Sequence, residues 1–204
     1  VTDHSRRLAM VNGLDESRLL SQIDEIDAIN AELSGFTILK GIEVDILADG
    51  SLDLPDEVLS RLDLVVGSVH YKFNLGRTEQ TERVLRAMDH RYFSILGHPT
   101  GRLLLSREPY DIDIPRVIEH ARQRGCFVEL NANPHRLDLH DMHCRLAREA
   151  GVLVSINTDA HRMQGLGNMD HGISQARRAW LRSADVLNTR PLDELTALLK
   201  GTMT

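Results

Sequence analysis

Histidine and acidic side chains recur in this sequence within or at the ends of short apolar runs. Six of them stand out: His4, Glu43, His70, His98, Asp159 and His161. Imidazole and carboxylate groups, with no thiolate among them, are the ligands that zinc, manganese or iron accept. If the apolar runs are buried strands of one sheet, these side chains meet at one edge of it and form a metal site.

Each of these residues also has an ordinary structural explanation. A histidine at a strand end is commonly a hydrogen-bonded structural residue, and an aspartate there commonly caps a helix. Glu43 could be an edge residue that faces water. These explanations weaken together, because five separate segments each deliver His, Asp or Glu to the same predicted end of the sheet.

The number of candidate ligands indicates more than one ion. Six ligands exceed what a single tetrahedral ion takes, so the sequence predicts two or three divalent ions with a carboxylate such as Glu43 between them. A bound metal lowers the pKa of its water from 15.7 to about 7, and paired ions stabilise both oxygens of a phosphoryl displacement. The predicted reaction is therefore hydrolysis of a phosphoester.

Strand-like apolar runs alternate with helical patterns along almost the whole chain. Strands are predicted at 36–47, 63–70, 93–98, 127–133, from 152 onward and at 185–187, and helices at 15–34, 78–89, 115–124, 139–150, 169–181 and 191–200. Such alternation without hairpin signals indicates a parallel sheet covered by helices. A doubly wound sheet would also fit. A barrel is favoured because its site gathers at the ends of many strands, whereas an open sheet has one switch point.

Length and composition indicate one globular domain over residues 1–204. No apolar run approaches the roughly 20 residues of a membrane helix. A net charge of −6 argues against a nucleic-acid clamp acting by itself. Cys126 and Cys144 lack disulfide spacing, which is typical of reduced thiols in a cytoplasmic protein. No glycine-rich phosphate loop is found, so nucleotide-triphosphate and dinucleotide sites are not predicted.

Four further residues are predicted to contact substrate. Arg102 and Arg107 follow His98 in a loop expected at the mouth of the site, where guanidinium forks suit phosphate oxygens, although surface solvation fits equally well. Asn131 shares a strand face with Glu129, and His135 lies just beyond. These two could position substrate, or the asparagine could satisfy interior backbone groups.

Two other patterns are given structural explanations. His140 and His143 are helical neighbours, but their helix also carries the apolar residues of a core face, so they are expected to flank that face. Trp180 lies at helical spacing from Ile173 and Ala176. It is predicted to anchor the core rather than to stack on a base.

Six motifs then occur in a fixed order: TDH at 2–4, GIEVDI at 41–46, GSVH at 67–70, LGHP at 96–99, ELNANP at 129–134 and NTDAH at 157–161. Over nearly the whole chain this order resembles the polymerase and histidinol phosphatase (PHP) domain. GHPTGRLLLSREPYDID and ELNANPHRLDL resemble more narrowly the version at the C-terminus of bacterial family X DNA polymerases. The resemblance implies an α/β fold, a distorted TIM-like (βα)7 barrel with a trinuclear metal site, lacking its first βα unit in this chain.

The resemblance also implies a role for each ligand. Glu43 would bridge, His70 and His98 would complete the same ion, Asp159 would bind a second ion, and His4 and His161 would belong to a third. Glu43, Asp159 and His161 would be the catalytic residues. The family's first strand carries a His-x-His pair and then an acidic ligand, and this sequence contains neither. We therefore expect an N-terminally truncated domain rather than a compromised site.

The implied activity is that of a manganese-dependent 3′–5′ exonuclease that also processes damaged or phosphorylated 3′ ends in a DNA repair polymerase. Zinc or iron would suit the same ligands. The DNA 3′ end would be held mainly by an upstream polymerase domain. Two alternatives stay open: a small-molecule phosphomonoesterase resembling histidinol phosphatase, and an inactive barrel that only supports the polymerase. The oligomeric state is left open.

Overall fold

The computed structural model describes residues 1–7 and 12–203. The strands are β1 (Thr2–His4), β2 (Gly41–Asp45), β3 (Leu64–Ser68), β4 (Ile95–Leu96), β5 (Phe127–Asn131) and β6 (Val154–Asn157). The α-helices are α1 (Glu16–Glu32), α2 (Asp56–Leu59), α3 (Arg77–Met88), α4 (Ile114–Arg124), α5 (Asp141–Glu149), α6 (Met169–Arg178) and α7 (Leu192–Thr202). Short 3₁₀ helices cover Met163–Asn168, Ser183–Asp185 and Leu187–Thr189.

The strands form one parallel sheet whose spatial order is the order of the sequence, β1 to β6. A doubly wound sheet reverses its strand order at a switch point, so this order is that of a barrel wall. The wall curls, because the ring centroid of His4, at the end of β1, lies 5.7 Å from that of His161, just after β6. The α/β class is confirmed, and the sheet is a curled half-barrel.

Burial on both faces explains why the strands are nearly continuous apolar runs. The outer face is covered by helices, and in α3 the side chains of Val84, Ala87 and Met88 are fully buried against it. Gly67 in β3 allows a close approach, since a Cβ there would lie 2.1 Å from Cε2 of Phe93. The predicted end of the helix at 115–124 is confirmed, because Gly125 is the C-cap residue of α4 with φ 75°.

The observed strands are shorter than predicted, and three of them differ most from the sequence-based prediction. The segment before Gly41 is not a strand, and Phe36 within it is 68% exposed. β4 contains only two residues, because His98 soon after it has φ 24° and breaks the extended conformation. The strand predicted at 185–187 is a single parallel bridge between Val186 and Val154, with 3₁₀ turns on either side.

The prediction that Trp180 anchors the core is wrong, because its side chain is 70% exposed. The residue follows the C-cap of α6 with φ 60°, so the chain has left the helical spacing on which the prediction depended. Its ring lies 5.9 Å from the Arg145 guanidinium carbon. Ala176 and Ala179 are buried instead.

Both cysteines are free thiols and buried, and burial raises the pKa of Cys126 to about 12. Among the described residues, no helix combines the length and the apolar character needed to cross a membrane.

Candidate metal centre

Strand register places the first two predicted ligands side by side. His4 in β1 is the register partner of Glu43 in β2, and its Nδ1 lies 3.0 Å from Oε2 of that glutamate. Partners in register on neighbouring strands point to the same face of a sheet. The sequence could therefore place this pair only once the two strands were known to be adjacent.

Glu43 is the centre of a cluster of imidazoles. His70 follows β3, and its Nε2 lies 3.3 Å from Oε1 of Glu43. His98 follows β4, and its Nε2 lies 3.0 Å from the same oxygen. The ring centroid of His70 lies 5.3 Å from that of His4 and 5.1 Å from that of His98. Histidines at the ends of β1, β3 and β4 thus converge on one carboxylate of β2.

This arrangement keeps Glu43 ionised. Burial acts to raise the pKa of its carboxyl group, but the neighbouring imidazoles of His4, His70 and His98 outweigh burial and hold the pKa well below its usual value. The side chain is only 12% exposed, so the negative charge faces the histidines rather than water. A buried carboxylate of this kind is an anionic ligand ready for a cation.

Asp45 fixes the orientation of the His70 ring. Its Oδ1 lies 3.1 Å from Nδ1 of His70, and the aspartate side chain is 1% exposed. Burial lowers the pKa of His70, but contacts with Asp45 and Glu43 reverse this effect and raise it to about 9. A metal-binding histidine commonly donates its second N–H to a carboxylate in this way. Asp45 was missed in the sequence, although its spacing from Glu43 in GIEVDI places both on one strand face.

The other half of the site is built on β5 and β6. Asp159, two residues after β6, has φ 51°, and its Oδ2 lies 3.2 Å from Nδ2 of Asn131. The same oxygen lies 3.3 Å from Nε of Arg136. His161 has a side chain that is 63% exposed, with its Nδ1 3.0 Å from the backbone oxygen of Asp159. Asp159 is therefore held by an amide and a guanidinium.

A second buried glutamate, Glu129, joins the two halves. Its carboxylate accepts from the backbone N–H of His98 at 2.6 Å, from Nδ2 of Asn157 at 2.8 Å and from Nδ2 of Asn131 at 3.3 Å. The bond to His98 stabilises a backbone that stands at φ 24°. Burial raises the pKa of Glu129 to about 8, and the charges of Glu43 and Asp159 add to this. Asn131, a predicted substrate residue, is thus also a link between Glu129 and Asp159.

The donor set fits a divalent cation. Ligand atoms of His4, Glu43 and His70 all lie within 4.8 Å of one another. Within the described part of the chain, His4 Nδ1 and His70 Nε2 are buried, and although they lie 3.0 and 3.3 Å from Glu43 oxygens, neither makes a hydrogen bond of acceptable geometry. Buried polar atoms are rarely left unsatisfied. Converging imidazoles around an ionised carboxylate account for these atoms if they bind a metal.

The structure does not bring Arg102, Arg107 and the His135 side chain to this cluster. Arg102 donates from Nε to the backbone oxygen of Arg136 at 2.8 Å and from Nη2 to that of Leu137. Arg107 donates to the Gly101 oxygen at 2.9 and 2.6 Å. His135 is exposed. Their roles as substrate-binding residues stay predictions.

Arg136 is the arginine that does reach the centre. It contacts Asp159, its side chain is 16% exposed, and its Nη1 is buried without a hydrogen-bond partner among the described residues. No local spacing in the sequence distinguishes it from Arg102 or Arg107. His140, by contrast, caps α5, and its ring stacks on that of His143 at 3.8 Å.

Comparison with known proteins adds an independent observation. The chain is 46% identical over 200 residues to the DNA polymerase/3′-5′ exonuclease PolX of Bacillus subtilis, which covers 98% of this chain and 35% of that protein. A probable phosphatase of Acetivibrio thermocellus is 30% identical over 178 residues, covering 83% of this chain and 69% of the relative. A probable phosphatase of Thermoanaerobacter sp. is 30% identical over 168 residues, which cover 78% of this chain and 66% of that relative. The chain belongs to the PHP family.

Both kinds of PHP relative carry names that describe phosphoester hydrolysis, since an exonuclease cleaves diesters and a phosphatase cleaves monoesters. The chain spans about a third of the length of PolX and about two thirds of the length of the phosphatases. A search of protein-family profiles found no match to the chain.

Proposed function

We propose that this PHP domain is a metal-dependent phosphoester hydrolase that removes nucleotides from the 3′ end of DNA. One observation carries the proposal: the ionised Glu43 carboxylate lies among the imidazoles of His4, His70 and His98. Asp45 orients the His70 ring, so its Nε2 faces this carboxylate. A structural ion pair would have placed His4 Nδ1 and His70 Nε2 in hydrogen bonds, and among the described residues neither nitrogen has such a partner.

The proposed ligands are those that the family resemblance implies: Glu43 as the bridging carboxylate with His70 and His98, Asp159 for a second ion, and His4 and His161 for a third. Manganese is the proposed metal, and zinc or iron accepts the same donors. When bound, the ions supply ionised water near neutral pH and positive charge for the phosphoryl oxygens. Glu43, Asp159 and His161 are the proposed catalytic residues.

Other side chains position the ligands and the substrate. Glu129 holds the backbone of His98, and Asn131 holds the Asp159 carboxylate. Arg136 is proposed to bind a phosphate oxygen through its buried Nη1, because a guanidinium beside a metal centre matches phosphate in charge and geometry. Arg102 is proposed to act through Arg136, whose backbone oxygen it binds.

The proposed substrate is DNA because the PolX relative, identical at 46% of positions, is named as an exonuclease. The net charge of −6 suits this only if the rest of the protein, a proposed polymerase domain, holds the phosphates of the strand. A small phosphomonoester is the second candidate. The probable phosphatases favour it, because the chain covers up to 69% of their length.

The finer architecture belongs to the same proposal. Residues 1–204 would form one domain with the fold of a distorted TIM-like (βα)7 barrel. The close approach of His4 and His161 across the open side of the sheet supports barrel closure. Two reduced, buried cysteines support a cytoplasmic location.

The test is hydrolysis of a 3′-labelled oligonucleotide by the full-length protein, stripped of metal and then given Mn²⁺. Asp159→Ala is expected to lower kcat/KM by about a thousandfold, or about 4 kcal/mol of transition-state stabilisation. Without metal, the Asp159→Ala protein should unfold at the same temperature as the metal-free parent protein. Asp170→Ala, an exposed aspartate in the first turn of α6, is the matched control and should leave the rate unchanged.

Undiminished hydrolysis by Asp159→Ala would remove this residue from the mechanism. If the complete protein, loaded with Mn²⁺, cleaves neither oligonucleotides nor p-nitrophenyl phosphate, the hydrolase proposal is wrong. Cleavage of the monoester alone would favour the phosphatase candidate.

A further inference from the structure

The loop between Arg102 and Arg107 presents two leucines to solvent. Leu105 is fully exposed and stands at φ 63°, and Leu104 is 37% exposed. A left-handed backbone is unfavourable for a bulky side chain, and an exposed leucine loses the stabilisation that burial would give. Neither feature contributes to the stability of the folded chain. We call these two residues the leucine tip.

The leucine tip is held on a firm base. Leu103 and Arg107 exchange backbone hydrogen bonds of 2.8 and 2.7 Å, which close the loop below the tip. The Arg107 guanidinium binds the Gly101 oxygen and lies 4.1 Å from the centroid of the Phe73 ring. Since both sides of the loop are tied down, the exposure of Leu105 is imposed by the fold.

A short series of contacts joins the tip to the metal centre. The N–H of Leu104 donates to the backbone oxygen of His135 at 2.6 Å. The next residue, Arg136, lies 3.3 Å from the Asp159 carboxylate. Only two contacts and one peptide unit therefore separate the tip from a proposed ligand, which places it beside the mouth of the site.

The chemistry around the tip matches a nucleotide. Because Leu104 contacts His135, the chain neighbour of Arg136, an exposed aliphatic surface and a guanidinium lie on adjoining loops. A nucleotide presents an apolar base face beside an anionic phosphate. Aliphatic wedges such as leucine are used elsewhere to contact or unstack bases, and arginine binds the adjoining phosphate. A small phosphoester without a base would use the guanidinium alone.

We propose that the leucine tip packs against a nucleobase at the 3′ end of a polynucleotide whose terminal phosphodiester lies at the metal centre. The proposal rests on the proposed hydrolase function and adds the residue that selects polynucleotides over small phosphoesters. Leu105 makes the contact with the base. Arg102 and Arg107, which the sequence suggested as phosphate ligands, are positioning residues for the tip.

The test compares two substrates in the full-length, Mn²⁺-loaded protein: a 3′-labelled oligonucleotide and bis(p-nitrophenyl) phosphate. Leu105→Gly removes the side chain while permitting the positive φ, and Leu105→Asn tolerates that φ with a polar group. Both variants should lose about tenfold in kcat/KM on the oligonucleotide and stay within about twofold on the small diester. Leu105→Met keeps an apolar side chain at this position, so it should retain most of the parent's activity on the oligonucleotide.

Leu33→Asn is the control, since this leucine is 40% exposed at the C-cap of α1, away from the ends of the strands. It should change neither rate. Equal losses on both substrates in Leu105→Gly would show that the tip acts on the centre itself and would overturn the proposal. Unchanged rates on both, with an altered unfolding temperature of the full-length protein, would show that the tip contacts another protein segment instead. If the parent protein cleaves no substrate at all, the proposed function fails rather than the role of the tip.

Discussion

Glu43 on β2 and Glu129 on β5 are largely buried glutamates of one sheet, yet their surroundings have opposite effects. Three imidazoles surround Glu43, and its pKa lies well below the usual value. Amide groups and a backbone N–H surround Glu129, and its pKa rises to about 8. Similar burial thus gives an anion in one place and a neutral acid in the other at mildly acidic to neutral pH.

The difference assigns the two carboxylates to different tasks. Environments that push the pKa values of two acids apart commonly separate their roles within one site. Glu43 faces atoms that can share a cation with it, whereas Glu129 faces donors that it holds in place. The cluster around Glu43 therefore binds the cation, and Glu129 with its partners positions His98 and Asp159.

The largest expected effect is the difference in hydrolysis rate between Glu43→Gln and Glu129→Gln. Glu43→Gln should lower hydrolysis by about a thousandfold, because it removes the anionic ligand at the centre of the cluster. Glu129→Gln should cost about tenfold or less, since the amide oxygen still accepts from the His98 N–H. Steady-state rates and Mn²⁺ binding isotherms measure both. Equal losses in the two variants would erase the distinction between them.

A smaller effect is expected when Glu129 is truncated. Glu129→Ala leaves the His98 N–H and the Asn157 amide without an acceptor, so Mn²⁺ affinity should fall about 10- to 100-fold. Asn157→Ala keeps the bond to His98 and should lose less. Calorimetric titration with Mn²⁺ gives the affinities. A Glu129→Ala protein that is less stable but binds Mn²⁺ like the parent would make Glu129 a purely structural residue.

A last effect, on stability rather than on rate or affinity, is expected in the pH dependence of the metal-free protein. Below pH 4.5 the Glu129 carboxyl is protonated in both states, and between 4.5 and about 8 only the folded state keeps the proton. The free energy of unfolding should therefore fall as pH rises through this range, by at most about 1.4 kcal/mol per unit. Glu129→Gln does not titrate, so its stability relative to the parent should increase between about pH 5 and pH 8. If the difference in free energy of unfolding between Glu129→Gln and the parent were the same at pH 5 and pH 8, the raised pKa of Glu129 would be contradicted.

Much of the fold could be predicted from local patterns. The α-helices longer than one turn and the main strands were confirmed within a few residues, because alternation and helical periodicity depend on neighbours in sequence. The predicted C-terminal boundary of β4 was wrong, because His98 adopts a positive φ. That conformation depends on a hydrogen bond to Glu129, 31 residues away, and no local pattern signals it.

The sequence alone determined the ligand types and their order along parallel strands, which is sufficient to predict that they share one edge of the sheet. The tertiary structure decided which side chains surround them. Arg136 rather than Arg102 reaches Asp159, because Arg102 is bound to backbone oxygens of the neighbouring loop. Residue type fixes what a side chain can bind, but only the packed loops and the curl of the sheet fix what lies within its reach.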